Sequence, residues 1–270
     1  MIDNPRSPRV RAVAKLAKKD ARIATGRFLL EGPQAVAEAL RFRPELVVEI
    51  FATVAALDRH SDIARAAVAA RISVETVTGQ VLETMADTVT PQGVIAVAKQ
   101  FTSTLEHVVA SGPRLVAILE EVRDPGNAGT ILRAADAAGA DAVIFSGKSV
   151  DPYNPKVVRS TTGSMFHVPI VSGVGLAEVV TAMHAAGLAV VAADVKGDDL
   201  LEHRTVLAEP TAWLFGNEAH GLDDAQLELA DRALRLPIFG NAESLNLATA
   251  ASVCLYETAF AQRASASLPG

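Results

Sequence analysis

The sequence predicts a chain of two α/β domains, the second larger than the first. Short apolar or β-branched runs typical of strands alternate with alanine-rich helical patterns. This alternation is interrupted near Gly112-Pro113, a turn dipeptide that precedes a new apolar strand. At 270 residues and 28.2 kDa the chain is long enough for two cores. We therefore expect domains over 1–105 and 114–270, joined by a linker over 106–113.

The first domain is predicted to contain four strands and three helices. The strands are the runs "RFLLEG", "LVVEIFAT", "ISVETVT" and "GVIAVAKQ". Helical patterns separate them near 33–42, 55–70 and 79–86. The stretch that follows, "FTSTLEHVVASGPR", is interpreted as a connector.

The second domain repeats the alternation with longer elements. Strands are predicted at 115–122, 141–146, 166–171, 188–193, 211–216 and 233–238. Helices are predicted at 128–138, near 155–162, and at 175–186, 223–230 and 244–262. Because ligands in such sheets bind beyond the carboxyl ends of the strands, the loops that follow strands are the candidate functional segments.

Composition excludes several classes of protein. No apolar run approaches the roughly 20 residues that a membrane-spanning helix needs, and the N-terminus lacks the apolar core of a secretory signal. The single cysteine, Cys254, cannot form an internal disulfide, which fits a reducing, cytoplasmic location. No spacing of His, Cys and Asp suggests a metal site. The phosphate-binding pattern G-x-G-x-x-G is missing after the candidate strands, which disfavours dehydrogenases and ordinary Rossmann methyltransferases.

The charge distribution is uneven. The net charge is −6, yet residues 1–27 carry eight Lys/Arg against two Asp/Glu. A basic arm on an acidic body can attract phosphates, and a solubilising amphipathic helix would have the same composition.

Three loops carry polar residues directly after predicted strands. The first, "RDPGNAGTILRAADAAG", places Asn127 at a helix start and Arg133 about a turn and a half along that helix. The second, "WLFGNEAHGL", supplies Gly216, Asn217 and Glu218. The third, "RLPIFGNAESLNLATAAS", leads to Ser244 and Asn246 at another helix start. Taken singly, Asn127 and Ser244 are equally well explained as helix N-caps.

Together these loops resemble, in order and spacing, the three motifs of the SpoU/TrmH family of RNA 2′-O-ribose methyltransferases, within the SPOUT superfamily. The matching pieces are "NAGTILRAADAAG", "LFGNEAHGL" and "LPIFGNAESLNLATAAS". The first half resembles the family's RNA-binding domain, which has a ribosomal-protein-like fold, through "RFLLEGPQAVAEAL" and "TPQGVIAVA". Within the family, the likeness is greatest to ribosomal RNA enzymes of the thiostrepton-resistance type.

The resemblance implies a trefoil-knotted C-terminal domain that binds S-adenosylmethionine and dimerises. It also implies roles for individual residues, here in the numbering of this chain. The cofactor-binding residues would be Leu214, Gly216, Asn217, Ile238 and Leu245. The catalytic residues would be Asn127, Arg133, Glu218, Ser244 and Asn246.

The chemistry of these side chains refines the implied roles. Arginine stays protonated in proteins and forms a planar fork, so we interpret Arg133 as orienting the ribose and phosphate rather than as a base. Glu218 would hold Arg133 or Asn127. Asn154, Lys156, Arg159 and Ser164, in a further matching stretch, are candidates for RNA contact; a capped helix with solvated cations explains them equally well.

The predicted function is therefore S-adenosylmethionine-dependent methylation of a ribose 2′-hydroxyl in large-subunit ribosomal RNA by a cytoplasmic homodimer. Two alternatives stay open at this point. One is the same chemistry on transfer RNA, and the other is a non-catalytic RNA-binding assembly factor of the same fold.

Overall fold

The computed structural model describes residues 1–266. Its backbone divides into two compact units. Unit 1 contains residues 1–101 and 151–167, and unit 2 contains residues 102–150 and the described residues from 168 onward. Within residues 1–266, none of the helices has both the length and the apolar character needed to cross a membrane.

The regular elements are as follows. The helices are α1 Pro8–Ala14, α2 Lys19–Thr25, α3 Pro33–Phe42, α4 Val54–Arg59, α5 Ser61–Ala69, α6 Gly79–Met85, α7 Leu105–Ala110, α8 Pro125–Ala138, α9 Pro155–Thr161, α10 Leu176–Ala185, α11 Asp224–Leu227 and α12 Leu247–Ala266. The strands are β1 Arg27–Glu31, β2 Val47–Ala52, β3 Ser73–Thr76, β4 Val94–Lys99, β5 Leu115–Glu120, β6 Ala142–Ser146, β7 Ile170–Val174, β8 Ala189–Asp199, β9 Thr211–Phe215 and β10 Arg232–Arg235.

Unit 1 is built on a mixed sheet of the order β1-β4-β2-β3. β4 is antiparallel to both of its neighbours, whereas β2 and β3 are parallel. The central strand β4 is buried over five of its six residues, which explains why its sequence is an apolar run without alternation.

The N-terminal residues contribute an apolar face to the core of unit 1. Val10, Val13 and Leu16 are buried against β4 and α6 residues of one hydrophobic cluster. The backbone of Ile2 pairs with the chain around Val77, through hydrogen bonds to Thr76 and from Thr78. The charge count of the segment could not reveal that these three apolar side chains are buried.

Arg22 is the buried polar centre of this N-terminal region. Its side chain is 2% exposed and donates to the carbonyl oxygens of Leu16 and Ala17 at 2.9 and 2.8 Å. The same guanidinium donates two hydrogen bonds to Asp151 at 3.0 and 2.7 Å. Because each donor that is withdrawn from water has a partner, this buried cation is compensated.

The segment 151–167 lies in the chain between two strands of unit 2, yet it belongs to unit 1. Tyr153 is buried beside Phe28 and bonds to the backbone of Phe101. The division therefore differs from the boundaries expected from sequence, which placed 151–167 in the second domain. It differs also at the expected linker 106–113, most of which lies in helix α7.

Unit 2 is built on a sheet of the order β10-β8-β9-β5-β6-β7, with every neighbouring pair parallel. Parallel strands end together, so the loops after β5, β6 and β9 leave the sheet at one edge. The register places Glu120 beside Ser146 and Leu119 beside Phe215 at this edge.

Helices cover both faces of this sheet. Residues of even number in the strands, such as Ile118 and Leu214, pack in one cluster with α7 and α10. Trp213 has an odd number and therefore lies on the other face of the sheet, where its indole N–H donates to Thr258 of α12 at 2.8 Å. A parallel sheet buried on both faces favours near-continuous apolar runs, and β5 and β9 are apolar except for Glu120 and Thr211 at their ends.

The predicted α/β fold class is confirmed, whereas several element limits differ. β7 starts at Ile170 instead of 166, because a 3-10 turn over Ser164–Phe166 occupies the preceding residues. β10 ends at Arg235, and α12 begins at Leu247. A 3-10 segment over Leu200–Ala208 was not expected.

Replacing Arg22 by methionine tests the structural role of the N-terminal region. The change leaves Asp151 and two backbone carbonyls without their donor, so we expect a loss of about 3 kcal/mol in the free energy of unfolding. Urea unfolding of the variant measures it, with Lys18→Met at an exposed site as the control. Equal stability of both variants would contradict the role assigned to Arg22.

Candidate active site

The loop between β5 and α8 is the first component of the site. Glu121 has a φ of 52°, in the left-handed region that costs a non-glycine residue about 1 kcal/mol. Pro125 begins α8, and the helix is capped by Asp124, whose side chain accepts the N–H of Asn127 at 2.8 Å. Asn127 is therefore not the N-cap, and its own side chain is available for other contacts.

The second component is the loop after β9, which closes on itself. Asn217 and Gly221 exchange two backbone hydrogen bonds, at 3.1 and 2.9 Å. A Cβ atom on Gly216 would lie 2.6 Å from the carbonyl carbon of Gly221 and 2.7 Å from the side chain of Leu222. Residue 216 must therefore be glycine, because the backbone of Gly221 and the side chain of Leu222 lie too close for a Cβ atom.

Hydrogen bonds join these two loops. Asn217 donates from Nδ2 to the carbonyl oxygen of Glu121 at 2.8 Å. Glu218 accepts the backbone N–H groups of Arg123 and Asp124 at 3.1 and 2.9 Å. The strained turn at Glu121 is accordingly held from the neighbouring strand, by residues about 95 positions away in the sequence.

A chain of side chains then crosses the site. Asn127 donates to Glu218 Oε1 at 3.3 Å and accepts from Asn246 Nδ2 at 3.0 Å. Of the two roles considered for Glu218, holding Asn127 is the one that the structure shows. The three predicted motifs meet in this row of Glu218, Asn127 and Asn246.

Asn246 also starts the last helix. Its Oδ1 accepts the N–H groups of Ala248 and Thr249 at 2.9 and 3.3 Å, so Asn246, and not Ser244, caps α12. Ser244 lies in an exposed stretch, 238–246, that is neither helix nor strand.

The predicted cofactor residues fall into two environments. Leu214 is fully buried in the core of unit 2, and Asn217 is nearly so. Ile238 and Leu245 lie on the exposed stretch and are 37% and 40% accessible, with Phe239 between them at 88%. A loop with apolar side chains turned to solvent beside a polar row is a candidate ligand-binding surface.

Arg133 lies on α8 and is exposed. Within residues 1–266 it makes no hydrogen bond or ion pair, whereas Asn127, Glu218 and Asn246 are bonded to one another. The guanidinium of Arg133 therefore keeps all its donors for another molecule.

The four candidate RNA contacts lie in unit 1, in the segment 151–167. Asn154 caps α9 by accepting the N–H of Lys156 at 2.9 Å, and Ser164 is buried. Arg159 is paired with Glu31 and Asp87, at 3.0 Å in each case. These contacts give Asn154 and Arg159 structural roles, and RNA contact by the four residues stays a prediction.

Glu120 was missed from the sequence. It ends β5, is 5% exposed, and accepts from Ser146 Oγ at 2.5 Å and from Gln226 Nε2 at 3.2 Å. Burial raises the pKa of this carboxyl above its ordinary value, while the hydrogen bonds from Ser146 and Gln226 act in the opposite direction. The available signal was an acidic residue at the end of an otherwise apolar strand.

Asp124 was missed as a cap, although Asp before Pro at a helix start is a known N-terminal signature. No group of three or more His, Cys, Asp or Glu in residues 1–266 is arranged to hold a metal ion.

Comparison with known proteins is consistent with this geometry. Residues 114–256 match the SpoU rRNA methylase family, and residues 29–104 match the family model described as RNA 2′-O ribose methyltransferase substrate binding. The chain is 33% identical, over 94% of its length and 97% of the relative, to the 23S rRNA (guanosine(2553)-2′-O)-methyltransferase RlmP of Bacillus subtilis.

Two solved structures cover nearly the whole chain. An AdoMet-bound rRNA methyltransferase from Sinorhizobium meliloti is 32% identical with a TM-score of 0.82, covering 95% of this chain and 96% of that one. The SpoU methyltransferase AviRb from Streptomyces viridochromogenes, in complex with AdoMet, is 31% identical with a TM-score of 0.82. The comparison covers 96% of this chain and 100% of AviRb.

Replacing Gly216 by alanine tests the close approach in the loop after β9. The added methyl group would force the loop backbone away from Gly221, and we expect a loss of about 1–3 kcal/mol in the free energy of unfolding. Gly175→Ala is the control, because Gly175 has an ordinary φ of −85° and open space around it. Urea titration compares the two, and a Gly216→Ala protein as stable as the control would refute the crowding.

Proposed function

The chain belongs to the SpoU rRNA methylase family, and we propose that it transfers a methyl group from S-adenosylmethionine to a ribose 2′-hydroxyl of large-subunit ribosomal RNA. The family resemblance, the enzyme class and the methyl donor predicted from sequence are confirmed by the family match and by the AdoMet-bound relatives. The observation that carries the proposal is the meeting of three distant motifs in the row Glu218, Asn127 and Asn246.

Ribosomal RNA is favoured over transfer RNA by the extent of the matches. The Bacillus subtilis and Sinorhizobium meliloti relatives, which span nearly the whole chain including unit 1, are named as rRNA enzymes. A further full-length relative, from Synechocystis, is named for both tRNA and rRNA. A solved enzyme of tRNA methylation at C/U34 covers only 57% of the chain. An intact polar row also disfavours a non-catalytic assembly factor.

The residues around the third motif fit the methyl donor. Ile238, Phe239 and Leu245 present apolar surface for an adenine ring, and the backbone of the same stretch is exposed for hydrogen bonding. Asn217 and Gly216 fix the adjoining loop. S-adenosylmethionine supplies an activated methyl group on a sulfonium when it is bound.

The side chains of the site position the acceptor hydroxyl. Glu218 is occupied with three donors, so its role is to orient Asn127 and the loop before α8. Asn127 and Asn246 present amide groups that can bond a ribose, and Ser244 lies on the adjoining loop. Arg133 holds the neighbouring phosphate. Most of the rate then comes from positioning.

Unit 1 binds the RNA in this proposal, since residues 29–104 match the substrate-binding model. Asn154, Lys156, Arg159 and Ser164 are proposed as its contacts within 151–167, and the exposed cations Lys15, Lys18 and Lys19 add phosphate attraction. A cytoplasmic location follows from the substrate.

We further propose a homodimer formed through α12. Val253, Tyr256 and Phe260 are 40%, 36% and 57% exposed, and their spacing of three and four residues places them on one side of the helix. Large apolar side chains in one exposed stripe indicate a protein interface. Sedimentation velocity at micromolar protein tests this, and a monomer would refute it.

Nucleoside analysis tests the reaction itself. We expect a ribose-methylated nucleoside after incubation of unmodified large-subunit rRNA with the protein and isotope-labelled S-adenosylmethionine. Mass spectrometry of the digested RNA identifies it, with transfer RNA as the parallel substrate. Label found only on bases would refute 2′-O transfer, and label found only in transfer RNA would redirect the substrate.

Substitution of Arg133 separates positioning from cofactor binding. Arg133→Ala should slow single-turnover methylation by about 10²-fold or more, because the phosphate is no longer held. S-adenosylhomocysteine affinity should be unchanged, because the predicted cofactor residues lie in the other two motifs.

Arg133→Lys should restore little, because lysine lacks the planar fork. Arg232, an exposed residue at the start of β10, provides the matched control as Arg232→Lys. A rate like wild type for Arg133→Ala would remove this residue from the reaction.

A further inference from the structure

A second connection joins the region after β9 to the end of β5, separate from the row Glu218, Asn127 and Asn246. Glu120 Oε1 accepts from Gln226 Nε2 at 3.2 Å, and Glu120 Oε2 accepts from Ser146 Oγ at 2.5 Å. Gln226 lies on α11, the short helix that follows the loop 216–222. One buried carboxylate thus joins the ends of β5 and β6 to the helix after β9.

The orientation of the Gln226 amide is fixed. Its Oε1 accepts the backbone N–H of Asp223 at 3.0 Å, while Asp223 Oδ1 accepts the N–H of Gln226 at 2.8 Å. This reciprocal capping box places the NH₂ group toward Glu120. Rotating the amide by 180° would break the cap, so only an acceptor can face it.

The surroundings of Glu120 permit little movement. A Cβ atom on Gly147 would lie 2.6 Å from Glu120 Oε1, so a glycine after β6 is needed to accommodate the carboxylate. The next residue, Glu121, is the strained one whose carbonyl binds Asn217. Displacement of Glu120 would therefore move the turn that Glu218 holds.

We propose that Glu120 and Gln226 are positioning residues for the methyl transfer, which set the spacing between the loop before α8 and the loop after β9. Neither touches the reacting groups. They act through Asn217 and Glu218, which bond to Glu121, Arg123 and Asp124 on the opposite loop. The inference rests on the proposed function for its kinetic part and on the hydrogen bonds alone for its structural part.

An exchange of the two side chains tests the pair. In Q226E two carboxylates face each other. E120Q serves only as the background of the double variant, because its amide can turn to accept from Gln226 and to donate to Ser146 Oγ. The double variant E120Q/Q226E restores one hydrogen bond of reversed polarity, because the amide introduced at position 120 can donate to the carboxylate introduced at position 226. That carboxylate still accepts the N–H of Asp223, and Ser146 keeps an acceptor at residue 120 in both Q226E and the double variant.

The first measurement is independent of activity. Hydrogen–deuterium exchange should show that the amides of Arg123 and Asp124 exchange about tenfold faster in Q226E and return toward wild type in the double variant. The matched control is Asp141→Asn, a carboxylate that accepts the N–H groups of Arg114 and Leu115 at the opposite end of β5. It should leave these two amides unchanged.

The second measurement is the single-turnover rate of methyl transfer per folded molecule. Q226E should be slower by about 10²-fold, and the double variant should recover most of the rate. A purely structural pair would lower thermal stability without changing this rate. Because Gln226 lies on a surface helix with no buried residue, the exchange and rate of Q226E decide the question even where the double variant does not fold.

The outcomes are distinct. Unchanged amide exchange in Q226E, or a double variant no better than Q226E, overturns the inference. Wild-type protein that methylates no RNA refutes the proposed function instead, and the exchange data still decide whether the pair sets the spacing of the loops.

Discussion

The hydrogen bonds accepted by Glu218 are the interaction on which the candidate site depends. The backbone before α8 is strained at Glu121 and would relax if left alone. Glu218 accepts the N–H groups of Arg123 and Asp124, and Asn217 donates to the carbonyl oxygen of Glu121 itself. With both sides of the turn held, Asn127 is presented to Asn246 at 3.0 Å.

Parallel strands make this arrangement possible. β5, β6 and β9 end at one edge, so residues far apart in the chain emerge as neighbours. The helices on both faces keep the edge rigid, through contacts such as that of Trp213 with Thr258. A rigid sheet that carries polar loops suits a reaction that relies on the placement of its reactants.

Much of the fold and the three motifs could be predicted, because strand and helix periodicities and turn residues are local signals. The contact partners of individual polar side chains could not be predicted. No local sequence pattern predicts that Arg22 is buried against Asp151. None predicts that Arg159 pairs with Glu31 and Asp87. Such pairings depend on which surfaces meet, and a polar residue on a helix has the same sequence pattern whether it is solvated or buried. Glu120 was missed although a local signal was present, an acidic residue at the end of an otherwise apolar strand.

The membership of 151–167 in unit 1 has a consequence for how such proteins diverge. Part of unit 1, including Asp151 and Tyr153, lies in the sequence between strands β6 and β7 of unit 2. Gene recombination that exchanged residues 29–104 for another substrate-binding module would leave behind both 1–28 and 151–167. The new module would then have to pack against residues 1–28 and 151–167, which are adapted to the original module. The two units are therefore expected to be inherited together rather than recombined separately.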